Sequence, residues 1–396
     1  MKVTSNFKSG RSGLMSTIIL GSVLPLLAAA PAKVLNIGHI TALTGSEAYI
    51  GEGAVPALED YVEKLNAAGG INGYKFKVIS YDGRSESADC VAIARRLIDQ
   101  DKCIAIVGPT FSGAGIPIAK IADEAKVPVI ATTATNVNVT VDEAGKVHPY
   151  MFRVCFIDPY QGKALADYAY NRLGKRKAAF LTDVASPYTV GVHEFFSKRF
   201  KELGGQVLMD EGYNKGDQEF RAQLAKVKNA KADVLVNAAD NFKDPALIAK
   251  QAKGLGLSVT MMGADGWMVT DILTLAGKEL EGSFFTTIAS VDDPQFAAYN
   301  QQFSAKHAGK KPNIWSYLNL DAMMIIENAI RTVTANGGEP NPVKMRDVIE
   351  NTKNLQVFTC KFTVDKTNHN PLNKPVVLMQ IKGSKFNVLE SYAPSN

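Results

Sequence analysis

The chain has 396 residues, 46% of them hydrophobic and 21% charged, an ordinary globular composition whose length points to two domains rather than one. The formal charge is +5, but the first 32 residues carry three bases (Lys2, Lys8, Arg11) and no acid, which leaves a body of net charge +2. A body so close to neutral excludes nucleic acid as a partner. The first 32 residues read as a secretory leader: a basic start, an apolar run from Leu14 to Ala30, and Ala30-Pro31-Ala32 as a small-residue cleavage site. Ser16, Thr17, Gly21, Ser22 and Pro25 interrupt that run, which makes it a poor membrane span. With no Cys near the cleavage site, a lipid anchor there is excluded, and the mature chain is expected in the periplasm.

Beyond the leader, strands and helices alternate. Val34–Ile40 is predicted as a buried strand, followed by a glycine-rich loop, 41–53, and a helix over 55–66 that Gly69-Gly70 stops. Tyr74–Tyr81 alternates as a strand, and Ser85 or Ser87 is expected to cap a helix reaching Gln100. The run Cys103–Val107 ends in Gly108-Pro109, and Ser112 stands just ahead of a helix over 114–125. Val127–Ala131 is the next strand, and Thr132-Thr133-Ala134-Thr135-Asn136 crowd its end. Tyr150–Phe156 is a further strand, which Asp158-Pro159 breaks.

The alternation then restarts. Strands are expected at 178–181, 207–213, 234–237, 259–262 and 284–288, with helices at 190–203, from Asp217 as cap to Lys228, and 245–253. After 290 come helices at 294–308, 316–334 and 342–351, then strands at 356–364, 376–381 and 386–389. The helix 316–334 needs a sheet to pack on and is assigned to the first set. Two successive sets of this kind predict an α/β fold of two doubly wound parallel-sheet lobes.

Cys90, Cys103, Cys155 and Cys360 admit three pairings. A Cys90–Cys103 bridge is disfavoured, because a helix running between them separates the two by roughly 15 Å at its usual rise and bridged Cα atoms lie within about 7 Å. Free buried thiols are expected, and the spacings match no metal site. Enzyme signatures fail on inspection. A nucleophile elbow around Ser112 needs glycines where Thr110 and Ala114 stand, and His193-Glu194 lacks a second His at Ser197. Gly254-Leu-Gly256 follows a helix and lacks a third glycine, so neither a dinucleotide loop nor any other cofactor site is expected.

In open parallel sheets, ligands sit beyond the carboxyl ends of strands. In the first set those ends carry Tyr49, Ser112, Thr133 and Thr135. In the second they carry Asp183, Tyr188, Asp240, Asn241, Phe242, Asp265 and Trp267. Hydroxyls and helix N-termini on one side suit a carboxylate, and acids on the other suit an ammonium; an α-amino acid carries both. Each residue also has a local alternative. Ser112 and Asp183 can act as caps, Thr133, Thr135 and Asp265 as turn formers, Tyr188 and Trp267 as core aromatics.

Leu35-Asn-Ile-Gly38, Leu43-Thr-Gly45, Asn66-Ala-Ala-Gly-Gly-Ile-Asn-Gly73, Ile106-Val-Gly-Pro109, Val127-Pro-Val-Ile130 and Met262-Gly-Ala-Asp-Gly266 carry a further signal. Together these pieces resemble the periplasmic leucine/isoleucine/valine-binding protein family, the solute-binding components of ABC importers, over nearly the whole chain past residue 32. The resemblance implies the type I periplasmic binding fold, with lobes of 33–154 plus 289–355 and of 155–288 plus 356–396 joined by a three-crossover hinge. It implies carboxylate contacts from Ser112, Thr133 and Thr135 and ammonium contacts from Asp265 and Tyr188. Asn241 and Phe242 fall on a second-lobe binding loop, and Tyr49 or Ile50 would cover the ligand side chain. It further implies a monomer that delivers a branched-chain or related amino acid to a membrane permease, without cofactor or metal. An aromatic acid or other small carboxylate or amide is the alternative ligand, and a secreted hydrolase is the rival of a different class. Two departures stand out: the family often has a Tyr where Asp240-Asn241-Phe242 stand, and its early disulfide has no clear counterpart.

Overall fold

The computed structural model describes residues 33–372 and 374–392. The expected leader and its cleavage site lie outside them. Strands β1 (Lys33–Thr41), β2 (Tyr74–Asp82), β3 (Ala105–Val107), β4 (Val129–Ala131) and β5 (Met151–Arg153) form one parallel sheet in the order β2-β1-β3-β4-β5. Ile37 to Thr41 are buried without alternation, as expected of a strand covered by helices on both faces. Those helices are α1 (Tyr49–Ala67), α2 (Ser87–Asp99) and α3 (Ser112–Ala125).

Helix α1 starts at Tyr49, inside the stretch expected to be loop. Gly51 and Gly53 are the reason: a Cβ at Gly51 would lie 2.3 Å from the Ala42 carbonyl oxygen, and one at Gly53 would lie 2.4 Å from Asn313 Oδ1. These glycines let the first turns lie directly on neighbouring chain, so close packing overrides their poor helix propensity. Neither expected serine caps α2. Glu86 occupies that position, and Ser85 Oγ instead accepts from the Glu47 N–H and donates to the Thr44 carbonyl.

Asp158-Pro159 does not end structure but begins it, as the first turn of α4 (Asp158–Asp167). Proline is tolerated there because the first helical N–H groups have no partner to lose. The second sheet then repeats the first: β6 (Lys177–Asp183), β7 (Gln206–Tyr213), β8 (Val234–Val236), β9 (Thr260–Gly263) and β10 (Phe284–Thr287) are parallel in the order β7-β6-β8-β9-β10. Its helices are α5 (Pro187–Glu202), α6 (Arg221–Ala230), α7 (Lys243–Gly254) and α8 (Thr270–Ala276). Asp217 does not cap α6; its Oδ2 accepts from the Asn214 N–H in the preceding turn, and Phe220 stands at the cap position.

The chain then returns to the first half through α9 (Ala297–Lys306) and α10 (Ile314–Thr334). Asn313 and Ser316 form a capping box at the start of α10, and α10 packs on α1, with Tyr61 donating to Glu327 and Asn313 Nδ2 to the Tyr49 carbonyl at 2.7 Å. Helix α11 (Pro342–Glu350) follows, then a two-residue ladder, β11 (Leu355–Gln356) with β12 (Lys361–Phe362), where one long strand was expected. Asp321 on α10 accepts from both Thr359 N–H and Thr359 Oγ1, which holds the intervening residues out of any extended pairing. His369 stays with the first half, stacked on Phe152 with Nδ1 3.0 Å from the Met151 carbonyl oxygen. Beyond it the chain passes to the second sheet. There it forms β13 (Val376–Lys382), antiparallel to β10, and β14 (Lys385–Tyr392), which closes a hairpin with it. All four cysteines are free; Cys90, Cys103 and Cys155 are buried, which pushes each thiol up to about 12, and Cys360 is half-buried.

Candidate functional site

The ends of β3, β4, β8 and β9 and the starts of α1, α3, α5 and α10 converge on one cavity between the halves. After β3 the chain turns sharply at Gly108 (φ +100°), where a Cβ would stand 2.4 Å from the Ile40 carbonyl oxygen. That turn sets the N-terminus of α3 against the gap. Ser112 is the first residue of α3, with Phe111 at the cap position. Its Oγ accepts the Asn136 N–H at 3.2 Å, which leaves the hydroxyl proton free to donate. Thr133 lines the same wall; its hydroxyl donates to the Thr110 carbonyl and accepts from Trp315 Nε1.

Opposite stands Asp265, just past β9 and only 7% exposed. Tyr188, in the first turn of α5, donates its hydroxyl to Asp265 Oδ1 at 2.7 Å and accepts the Gly266 N–H at 3.3 Å. Burial pushes the Asp265 carboxyl up to about 6, although the Tyr188 and Gln161 hydrogen bonds pull it down. Asp265 is thus a buried acid with no cation against it among the described residues. Asp240, at the end of β8, also faces the cavity; burial and the charge of Glu47 raise it to about 7. The free space amounts to about 30 Å³, on the scale of a water molecule or two.

Of the residues singled out from the sequence, Ser112, Thr133, Tyr188, Asp240, Asp265 and Ile50 line this cavity. Tyr49 stands behind the wall: its hydroxyl donates to the Asp240 carbonyl, and its ring meets Phe242 and Trp315 edge-on at 5.4 and 5.2 Å. Phe242 therefore packs on Tyr49 rather than facing the gap. Thr135 is fully buried beside Asp158, whose N–H donates to its carbonyl. Asn241 serves the start of α7, where its Oδ1 accepts from the Lys243 and Asp244 N–H groups. Trp267 is core, with Nε1 donating to the Asn237 carbonyl and its ring near Phe285.

Sequence reasoning missed Phe111 and Trp315 as walls. Phe111 adjoins Ser112 and was within reach of the same argument. Trp315 sits two hundred residues from Ser112 on a helix of the returning segment, and no local spacing connects it to the site. Among the described residues no cluster of His, Cys, Asp and Glu could hold a metal ion, and no helix is long and apolar enough to cross a membrane.

Two parallel sheets of identical strand order, closed over a cavity with an acid on one wall and hydroxyls on the other, define a two-lobed solute-binding protein. The chain belongs to the periplasmic binding protein family, whose model matches residues 34–385, and its relatives place it with the branched-chain amino acid binding type. An amino acid binding protein of Pseudomonas aeruginosa is 34% identical over 67% of this chain and 69% of its own length. Leu/Ile/Val-binding protein homolog 2 of Brucella abortus is 28% identical over 76% of this chain and 79% of its own. Among solved structures, the leucine binding protein LivK of Thermotoga maritima superposes with a TM-score of 0.82 at 30% identity, covering 91% of this chain and 99% of its own. LivJ of Streptococcus pneumoniae, in complex with isoleucine, gives 0.81 at 28%, covering 91% and 100%. The family is extracytoplasmic and is a solute-binding class rather than an enzyme class.

Proposed function

We propose that the chain captures an α-amino acid between its two lobes in the periplasm and delivers it, as a monomer, to the permease of an ABC importer. The leader cleaved near Ala32 would supply export. One observation carries this: the Tyr188-held carboxylate of Asp265 faces the free hydroxyl of Ser112 and the N-terminus of α3 across a single cavity. The ligand carboxylate takes charge-assisted hydrogen bonds from Ser112 and the first N–H groups of α3, and its ammonium pairs with Asp265. Thr133 joins by turning its hydroxyl from the Thr110 carbonyl. The three passages between the sheets act as the hinge about which the walls part to admit the ligand. Relatives whose names or bound ligands are amino acids support the same solute class. Thermal-shift and calorimetric titration with amino acids and with amine-free acids such as benzoate tests it, since ligand stabilises the native state by mass action. Amino acids are expected to stabilise the chain and benzoate not; the reverse order defeats the proposal.

The raised carboxyl of Asp265 makes a second expectation. In the free protein it protonates as pH falls through about 6, whereas a bound ammonium keeps it ionised to lower pH. Affinity should therefore be flat above about pH 7 and fall below about 6, approaching tenfold per unit. Asp158 and Asp240, which burial raises to about 7, titrate nearby, so Asp265→Asn is the control: it should lose the part of the slope that belongs to Asp265. Calorimetry at pH 7.5 and 5.0 on both proteins checks this.

A further inference from the structure

The head-group cavity leaves no room for a side chain of any size, so the neighbouring space decides what side chain is accepted. Two larger chambers flank it. One, of about 260 Å³, shares only Trp315 with the head-group cavity and is bordered by two lysines, Lys310 and Lys311, and two acids, Glu52 and Asp271. The other, of about 210 Å³, shares both Phe111 and Asp240 with it, so the two adjoin across the Phe111 ring.

The walls of this second chamber are acidic. Glu47 and Glu86 come from the first half, and Asp183 and Asp240 from the second, against a single cation, Lys215. Lys215 reaches across the gap from beyond β7, 3.2 Å from Glu47 Oε1, and donates to the Ser85 carbonyl at 2.7 Å. One ammonium cannot neutralise this group. Glu47 is 1% exposed, and while its Oε1 takes the Lys215 ammonium and the Ser46 hydroxyl, its Oε2 has no hydrogen-bond partner among the described residues. An orphaned, buried carboxylate oxygen is costly to maintain. Burial raises the carboxyls of Glu47 and Asp183 as well, and the Lys215 charge pulls both back down.

Resting on the amino-acid reading above, we propose that the side chain of the captured ligand ends in a cationic nitrogen, an ammonium or guanidinium, that sits in this chamber against Glu47, Asp183 and Asp240. The ligand is then a basic amino acid. Its aliphatic stem passes along Phe111, and its terminal N–H groups satisfy Glu47 Oε2 and bring the chamber near charge balance. A branched-chain side chain would enter the same chamber with no donor to offer and would strip water from these carboxylates without replacing it.

Calorimetry with L-arginine, L-lysine and L-leucine on the mature chain, freed of ligand by unfolding and refolding, tests this. Arginine or lysine is expected to bind at least tenfold more tightly than leucine. Glu47→Gln should reduce the ratio of cationic to leucine affinity about tenfold, and Asp183→Asn should shift it in the same direction if the first variant does not fold. Leucine binding as tightly as both basic amino acids, or variants that lower all affinities alike and leave the ratio unchanged, would overturn the proposal while leaving the head-group site intact. If no amino acid binds and amine-free acids do, the head-group reading itself fails, and this inference with it.

Discussion

Asp265→Asn is expected to weaken amino-acid binding by on the order of 100-fold, about 3 kcal/mol. The Asn side chain keeps the size of the native one and still accepts the Tyr188 hydroxyl, so the cavity keeps its shape. What disappears is the charge that Tyr188 holds in place to meet the ammonium, and a buried, hydrogen-bonded ion left without its counter-charge costs several kcal/mol. The free protein should not suffer. Because the folded-state carboxyl is raised from 3.8 to about 6, the stability it contributes is present in full below about pH 4 and is lost as pH rises through about 6. At pH 7.5 the Asn variant should therefore melt no lower than its parent, and calorimetric titration beside a thermal melt separates binding from stability. Unchanged affinity would remove Asp265 from the site.

The second large effect lies away from the ligand. Asp321 and Lys374 form an ion pair at 3.0 Å with side chains 0% and 1% exposed. Thr359 completes the group, donating its hydroxyl to Asp321 and accepting from Lys374 Nζ at 2.7 Å. The triad ties α10 to the segment that enters β13, where the chain makes its last passage between the halves. Asp321→Asn strands the Lys374 charge in the interior and should cost about 3–5 kcal/mol. Urea unfolding should show a lower midpoint with an unchanged slope. Adding Lys374→Met removes the unpaired ion and should recover most of the loss. A single variant as stable as the parent would show that water reaches the pair.

Much of this architecture was legible before any coordinates. The order of strands and of most helices followed from alternating and 3.6-residue periodicity, and every strand of both parallel sheets was located from its apolar run or its alternation, whereas helices α4 and α8 were not foreseen. Errors came where a residue's local preference met a tertiary demand. Gly51 and Gly53 look like loop residues because glycine costs helix entropy, yet they are in helix because only a hydrogen fits against Ala42 and Asn313. Asp158-Pro159 looks like a break, yet proline is at home in a first turn. Trp267 looked like a ligand aromatic from its place after a strand, but Asn237 offers its indole N–H a buried acceptor and draws it into the core.

The sequence by itself determined that this is a pair of doubly wound α/β units, that hydroxyls end the strands of one and acids those of the other, and to which family the motifs belong. Each of these is written in neighbours a few residues apart, because strand and helix repeats are short-range properties of the backbone. Only the tertiary structure decided which strand-end residues share a cavity, that Trp315 walls it, and that Lys215 meets Glu47 beside an acidic chamber. Those relations depend on how two sheets are brought face to face by three distant chain passages, and no periodicity along the chain encodes a distance across a gap.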